Sequence, residues 1–132
     1  MGLFSLFKKR EVQRKKLVDL DFILDDEYWS YVPSDINKDS FMILVLDHTL
    51  EDEQKYVHKL SYLMSQISEI KVKAKSYLKQ EKVLGVDEVY SLVINSCIPL
   101  NDFILEMTSS DAEDIYMINF INGEPISIDM DS

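Results

Sequence analysis

Residues 41–82 read FMILVLDHTLEDEQKYVHKLSYLMSQISEIKVKAKSYLKQEK, and the change of rhythm inside them decides the fold. The first six are apolar without alternation, the pattern of a central strand covered on both faces. Asp47-His48 closes that run. Thr49 followed by Asp52 makes a capping-box-like start, with a hydroxyl and a carboxylate placed for otherwise orphan N–H groups. From residue 50 to about residue 82, Tyr56, Leu60, Leu63, Ile67, Ile70, Ala74 and Leu78 recur at steps of three and four, drawing one apolar stripe along a helix. Glu51 with Lys55 and Glu69 with Lys73 are i,i+4 pairs in the favourable order, and lysines trail towards the C-terminal end, where they complement the helix dipole. No Gly or Pro falls between Pro33 and Gly85, and Gly85 supplies a stop.

Upstream, residues 17–24 alternate Val18, Leu20, Phe22 and Leu24 with Asp19, Asp21 and Ile23, a half-buried strand by period. Asp25-Asp26-Glu27 ends it, and Tyr28, Trp29 and Tyr31 lead through a loop to Val32-Pro33. Downstream, residues 86–98 fit a short helix by the spacing of Val86, Val89, Tyr90 and Val93, or a strand; the reading leans to a short helix or turn. Phe103, Leu105 and Met107 alternate with Ile104 and Glu106, residues 109–114 form a turn, and residues 115–121 form a strand. Asn122-Gly123 is a strong hairpin signal, since both central residues of a type I′ turn need positive φ. Pro125 near the start of the last strand hints at an edge. The expected fold is α+β: an antiparallel sheet of about five strands, in the order β-β-α-β-β-β, with one long helix over about 50–82 on one face.

The chain has 132 residues, one domain's worth, and 46% hydrophobic with 29% charged residues is an ordinary globular balance. Its net charge of −10 is uneven. Residues 1–16 hold six bases and one acid, +5; residues 17–132 hold eight bases and 23 acids, −15. The reading therefore separates a basic, partly disordered segment 1–16 from a single α+β domain 17–132. A body this acidic repels nucleic acid, whose phosphates need clustered Lys and Arg, and favours a basic partner. The single cysteine, Cys97, allows no internal disulfide and fits a reducing compartment; no secretory signal or membrane span is present, so the expected location is cytoplasmic.

Catalytic and cofactor chemistry find no footing. The two histidines, His48 and His58, lack metal-ligand spacing; no Gly-x-Ser-x-Gly elbow or Cys motif marks a nucleophile, and three unclustered glycines make no phosphate cradle. No catalytic residue, metal or cofactor is expected, and the chain is read as a non-enzyme. Carboxylates do recur, at Asp25, Asp26 and Glu27, at Asp111, Glu113 and Asp114, and at Asp129 and Asp131. They read as a solvated face or as a partner-binding acidic surface. Trp29 and Tyr31 are aromatic types that anchor interfaces or pack in cores. The N-terminal Leu3, Phe4, Leu6 and Phe7 with six bases suit either a frayed terminus or a membrane-surface anchor; the myristoylation pattern fails because position 6 is leucine.

The start Met-Gly-Leu-Phe-Ser-Leu-Phe-Lys-Lys, the acidic strands, a helix at 50–82 and the closing strands at 115–121 and 124–131 resemble the small immunity proteins that bacteria carry beside toxins of contact-dependent growth inhibition and other polymorphic toxin systems. The resemblance implies a protein that binds and blocks one cognate toxin domain, often a basic nuclease, and has no activity of its own. It implies no particular binding residues. The expected function is thus toxin neutralisation through an acidic surface, by a monomer or a homodimer. The alternative is a peripheral membrane or scaffold protein docked through the basic, aromatic N-terminal segment.

Overall fold

The structure, a computed structural model, describes residues 13–25, 27–34, 40–46, 50–109 and 114–131. Among them one sheet has eight strands in sequential order: β1 (Gln13–Leu17), β2 (Leu20–Leu24), β3 (Trp29–Tyr31), β4 (Met42–Val45), β5 (Glu88–Ile94), β6 (Phe103–Thr108), β7 (Ile115–Ile121) and β8 (Glu124–Asp131). Every neighbouring pair is antiparallel except β4 and β5, which are parallel. Parallel neighbours need a crossover of a dozen or more residues. Two helices supply it, α1 (Glu53–Ser65) and α2 (Ile67–Gln80), after a single 3₁₀ turn at Leu50–Asp52.

This architecture corrects the five-strand, one-helix expectation. The apolar stripe runs in phase through both helices, with Tyr56, Leu60, Leu63, Ile70, Ala74 and Leu78 buried. The helix nevertheless breaks at Gln66. There the Ser65 hydroxyl donates to the Tyr62 carbonyl at 2.6 Å, and the Gln66 N–H reaches only three residues back, to Leu63 at 3.0 Å. A hydroxyl that bonds its own helix backbone competes with the regular ladder. Asp52 precedes α1 without a side-chain capping bond, and Thr49 lies outside the described residues. Nor do the i,i+4 pairs form as expected: Lys55 sits 3.6 Å from Asp52, and Lys73 sits 2.9 Å from Glu124 on β8. The α2 terminus is a Schellman closure, in which Val83 N–H bonds Leu78 O at 2.8 Å around Lys82 at φ 63; Gly85 lies beyond it.

Residues 17–24 are not one strand. The chain turns at Val18 (φ 49) and Asp19 (φ 64), pairing Leu17 with Leu20, so Gln13–Leu17 becomes an extra strand. Trp29–Tyr31 is a strand too, where a loop was expected. The leaning towards a helix at 86–98 is overturned by β5, which pairs on both sides and is buried at Ser91, Leu92, Val93 and Ile94. The Asn122-Gly123 hairpin is present, with φ 56 and 81, and β8 is an edge strand, as Pro125 suggests.

Alternation sends one parity of each strand towards the helices. Phe22, Leu24, Trp29, Ile43, Val45, Leu92, Ile94, Leu105, Met107, Ile118 and Phe120 form one core cluster with both helices. The stacked pair Phe103 and Phe120, 4.6 Å between centroids, closes its β6–β7 end.

Candidate interaction surface

Strand directions divide the sheet's ends. With β4 taken as running upward, β2, β5 and β7 also run upward. The upper end then holds the β2–β3 turn, the loop 95–102 and the Asn122-Gly123 turn. The lower end holds the Val18-Asp19 turn, the start of β5, the β6–β7 connection and the end of β8.

The carboxylates and aromatics singled out by the sequence do not gather in one patch. Asp25 and Glu27 are exposed in the upper β2–β3 turn. Asp114 and Asp129 lie at the lower corner of β7 and β8, where Met117 pairs with Asp129 and the backbone of Ile115 with that of Asp131. Five strand spacings separate the two groups laterally, roughly 24 Å. Asp26, Asp111 and Glu113 lie outside the described residues, as does His48. Trp29 is only 1% exposed, packed edge-on against Tyr56 with centroids 5.7 Å apart. It is a core residue and cannot anchor a partner. Tyr31 is half-buried, tilted against Phe22.

A sharper charge division emerges once the strands are placed. Residues 83–132, which supply β5 to β8, carry ten acids and no Lys, Arg or His. Three of these acids are engaged from within. Asp102 Oδ1 accepts from Asn122 N–H at 2.9 Å, Glu106 accepts from the Ser91 hydroxyl, and Glu124 pairs with Lys73. The Glu124 bond, with the charges of Glu124 and Glu69, holds the Lys73 ammonium above its ordinary value against a smaller opposing cost of burial. Asp87 and Asp129 are exposed, and Asp129 accepts a 3.2 Å bond from Asn119. At the opposite edge, β1 presents Arg14, Lys15 and Lys16, of which Lys15 reaches Glu53 at 2.7 Å. The sheet is therefore basic at its first strand and anionic across its last four.

Lys59 is a feature that periodicity alone could have flagged, since it shares the helix face of Tyr56, Leu60 and Leu63. It is fully buried, and its Nζ donates to Ser96 O at 2.7 Å and Asp102 O at 2.6 Å. Burial pushes its ammonium below the ordinary 10.5, opposed by the nearby Asp102 and Cys97. The lysine ties α1 to the loop 95–102 beside a cleft of about 330 Å³ that Ile98, Phe103, Phe120 and Ile126 also line. Cys97 is buried in the core cluster, and His58 points to solvent. Among the described residues no group of three His, Cys, Asp or Glu side chains could hold a metal ion.

The second parity of each strand faces away from the helices. Ile23, Ser30, Leu44, Val93, Ile104, Asn119 and Ser127 form one continuous cross-strand row there. Below it run Met42, Ser91, Glu106, Met117 and Asp129. Among the described residues no helix covers this face. Among the described residues Val93, only 6% exposed, is the one buried apolar residue outside the core cluster, shielded by its neighbours in the row.

Comparison with family models, with curated proteins and with solved structures yields no match. No helix among the described residues is long and apolar enough to cross a membrane.

Proposed function

We propose that this chain is a toxin-neutralising immunity protein that binds a basic toxin domain through the anionic β5–β8 end of its sheet. The observation that carries the reading is the absence of any Lys, Arg or His from residues 83–132, against ten acids. Apart from Lys73, which reaches Glu124 from α2, these acids face no cation of their own strands, and a predominantly negative field steers and orients a basic partner. A nuclease-type toxin is necessarily basic where it holds its substrate's phosphates. Asp87 and Asp114 at the lower end are placed to meet it, and the outer edge of β8 offers main-chain pairing beside them.

The test is affinity capture from the native host across a salt series, followed by a toxicity assay of the captured protein with and without this chain. A stoichiometric basic protein, released as salt rises and inhibited by the chain, supports the reading. Asp87→Lys with Asp114→Lys should then weaken binding about tenfold or more and flatten its salt dependence. Capture of a partner whose toxicity is unaffected, or binding indifferent to both salt and the reversals, refutes it.

A further inference from the structure

The helix-free face of the sheet is largely apolar in its middle, where the hydrogen-bonded pair of Ser91 and Glu106 on β5 and β6 is the charged exception, and is oppositely charged at its two edges. Ile23, Met42, Leu44, Val93, Ile104 and Met117 occupy the middle strands. Arg14 shares a row with Ile23, and Lys16 stands beside Asp21, on the β1 side; Asp129 stands on β8, held on this face by its bond from Asn119. We infer that this face is the contact surface between two copies of the chain, stacked sheet on sheet about a two-fold axis that runs along the strands. The inference goes beyond the toxin-binding reading and does not rest on it.

Symmetry and charge together select this arrangement. Two sheets stacked face to face are related by a two-fold axis lying in the interface, whose limiting directions are across the strands and along them. An axis across the strands lays β1 on its own copy, setting Arg14 and Lys16 against Arg14 and Lys16. An axis along the strands lays β1 over β8 of the other copy and β4 over β5. Arg14 and Lys16 then meet Asp129 at both ends of the contact, while Leu44 meets Val93 at its centre. Like charges brought together cost affinity and opposite charges set the register, so only the second axis fits. It is also the aligned geometry in which twisted sheets pack, about 10 Å apart.

The area suffices. Eight strands at about 4.8 Å, each contributing roughly 15 Å of length, cover about 600 Å² per copy and about 1,200 Å² in total, within the range of specific dimers. Five polar side chains inside the patch bond one another. Ser91 donates to Glu106, and Asn119 donates to Ser127 at 2.9 Å as well as to Asp129.

The test is the molar mass of the full chain by sedimentation from about 1 to 200 μM. Three variants accompany it: Leu44→Lys at the centre, Arg14→Glu with Lys16→Glu at the basic edge, and that pair combined with Asp129→Lys. The wild type should be a dimer and Leu44→Lys a monomer. The double reversal should raise the dimer Kd about tenfold, and adding Asp129→Lys should recover most of that loss. Both edges are exposed, so circular dichroism should show the charge variants folded; if Leu44→Lys does not fold, the reversal and its repair decide alone. A monomeric wild type across the range overturns the inference. A dimer untouched by the variants, or a reversal that Asp129→Lys fails to repair, overturns it equally.

Discussion

Lys59 gives the strongest handle on what holds the upper end of the sheet. Its Nζ serves two carbonyls of one loop, Ser96 O and Asp102 O, at 2.7 and 2.6 Å. Replacing it with methionine keeps the stem and its packing among α1 neighbours but leaves both acceptors bare. Each orphaned acceptor costs about 1–3 kcal/mol, and relief from burying an ammonium offsets part of that sum. Lys59→Met should therefore destabilise the fold by about 2–3 kcal/mol, moving the urea midpoint down by about 1–2 M. The pH dependence separates this account from simple loss of packing. Burial lowers the folded ammonium's pKa below 10.5, so between the folded value and 10.5 the unfolded chain binds more protons. Wild-type stability gains from this group as pH rises through that interval, and the gain is complete above 10.5. The methionine variant lacks the gain, so the gap between the two proteins should widen with pH. Equal stability at pH 7, or a gap that stays flat or narrows, would refute the reasoning.

Two turns should tolerate improvement, because residues with a Cβ sit where the backbone is left-handed. Val18-Asp19→Asn-Gly, at φ 49 and 64, should stabilise the β1–β2 hairpin by about 1 kcal/mol, read as a melting temperature higher by about 3–5 °C; an unchanged or lower value would show that the partly buried Val18 packs better than its backbone suffers. Lys82→Gly, at φ 63 in the α2 closure, should add about 0.5–1 kcal/mol in chemical denaturation, and a loss of stability would argue against the Schellman assignment.

How much of this was legible depends on what each strand had to offer as a signal. The apolar stripe through Tyr56 and Leu78, the alternation of Phe103, Leu105 and Met107, and the Asn122-Gly123 turn are local patterns, and each is present. β1 was hidden because Gln13, Arg14, Lys15 and Lys16 show no alternation, and the Val-Asp turn puts a β-branched residue, which disfavours positive φ, at its first position. β5 was hidden for the opposite reason. Its residues 91–94 are buried without a break between β4 and β6, and the register shift between Val89 and Ser91 erases the period-two rhythm. The break at Gln66 leaves the stripe in phase, so periodicity cannot register it. The basic 1–16 was legible and supplies the cations of β1, but 17–132 was read as one acidic block; the strand assignment is what gathers the cation-free residues 83–132 into β5–β8.

That strand order also creates a hazard with which the proposed two-fold contact competes. An eight-stranded open sheet has two edges, and here they are β1 and β8. Pairing β8 with itself sets acidic strands side by side, and pairing β1 with itself does the same with bases, so like charge discourages both. The attractive edge contact is β1 of one copy with β8 of the next. That contact is heterologous, and when its rotation does not close it builds a filament. Stacking the helix-free faces instead lays the same two charged strands across one another in a closed pair. Arg14, Lys16 and Asp129 then point into the face-to-face contact, and the central apolar row is covered by the same step. The opposite charges at the two edges thus favour association, and the apolar middle between them decides that association ends at two.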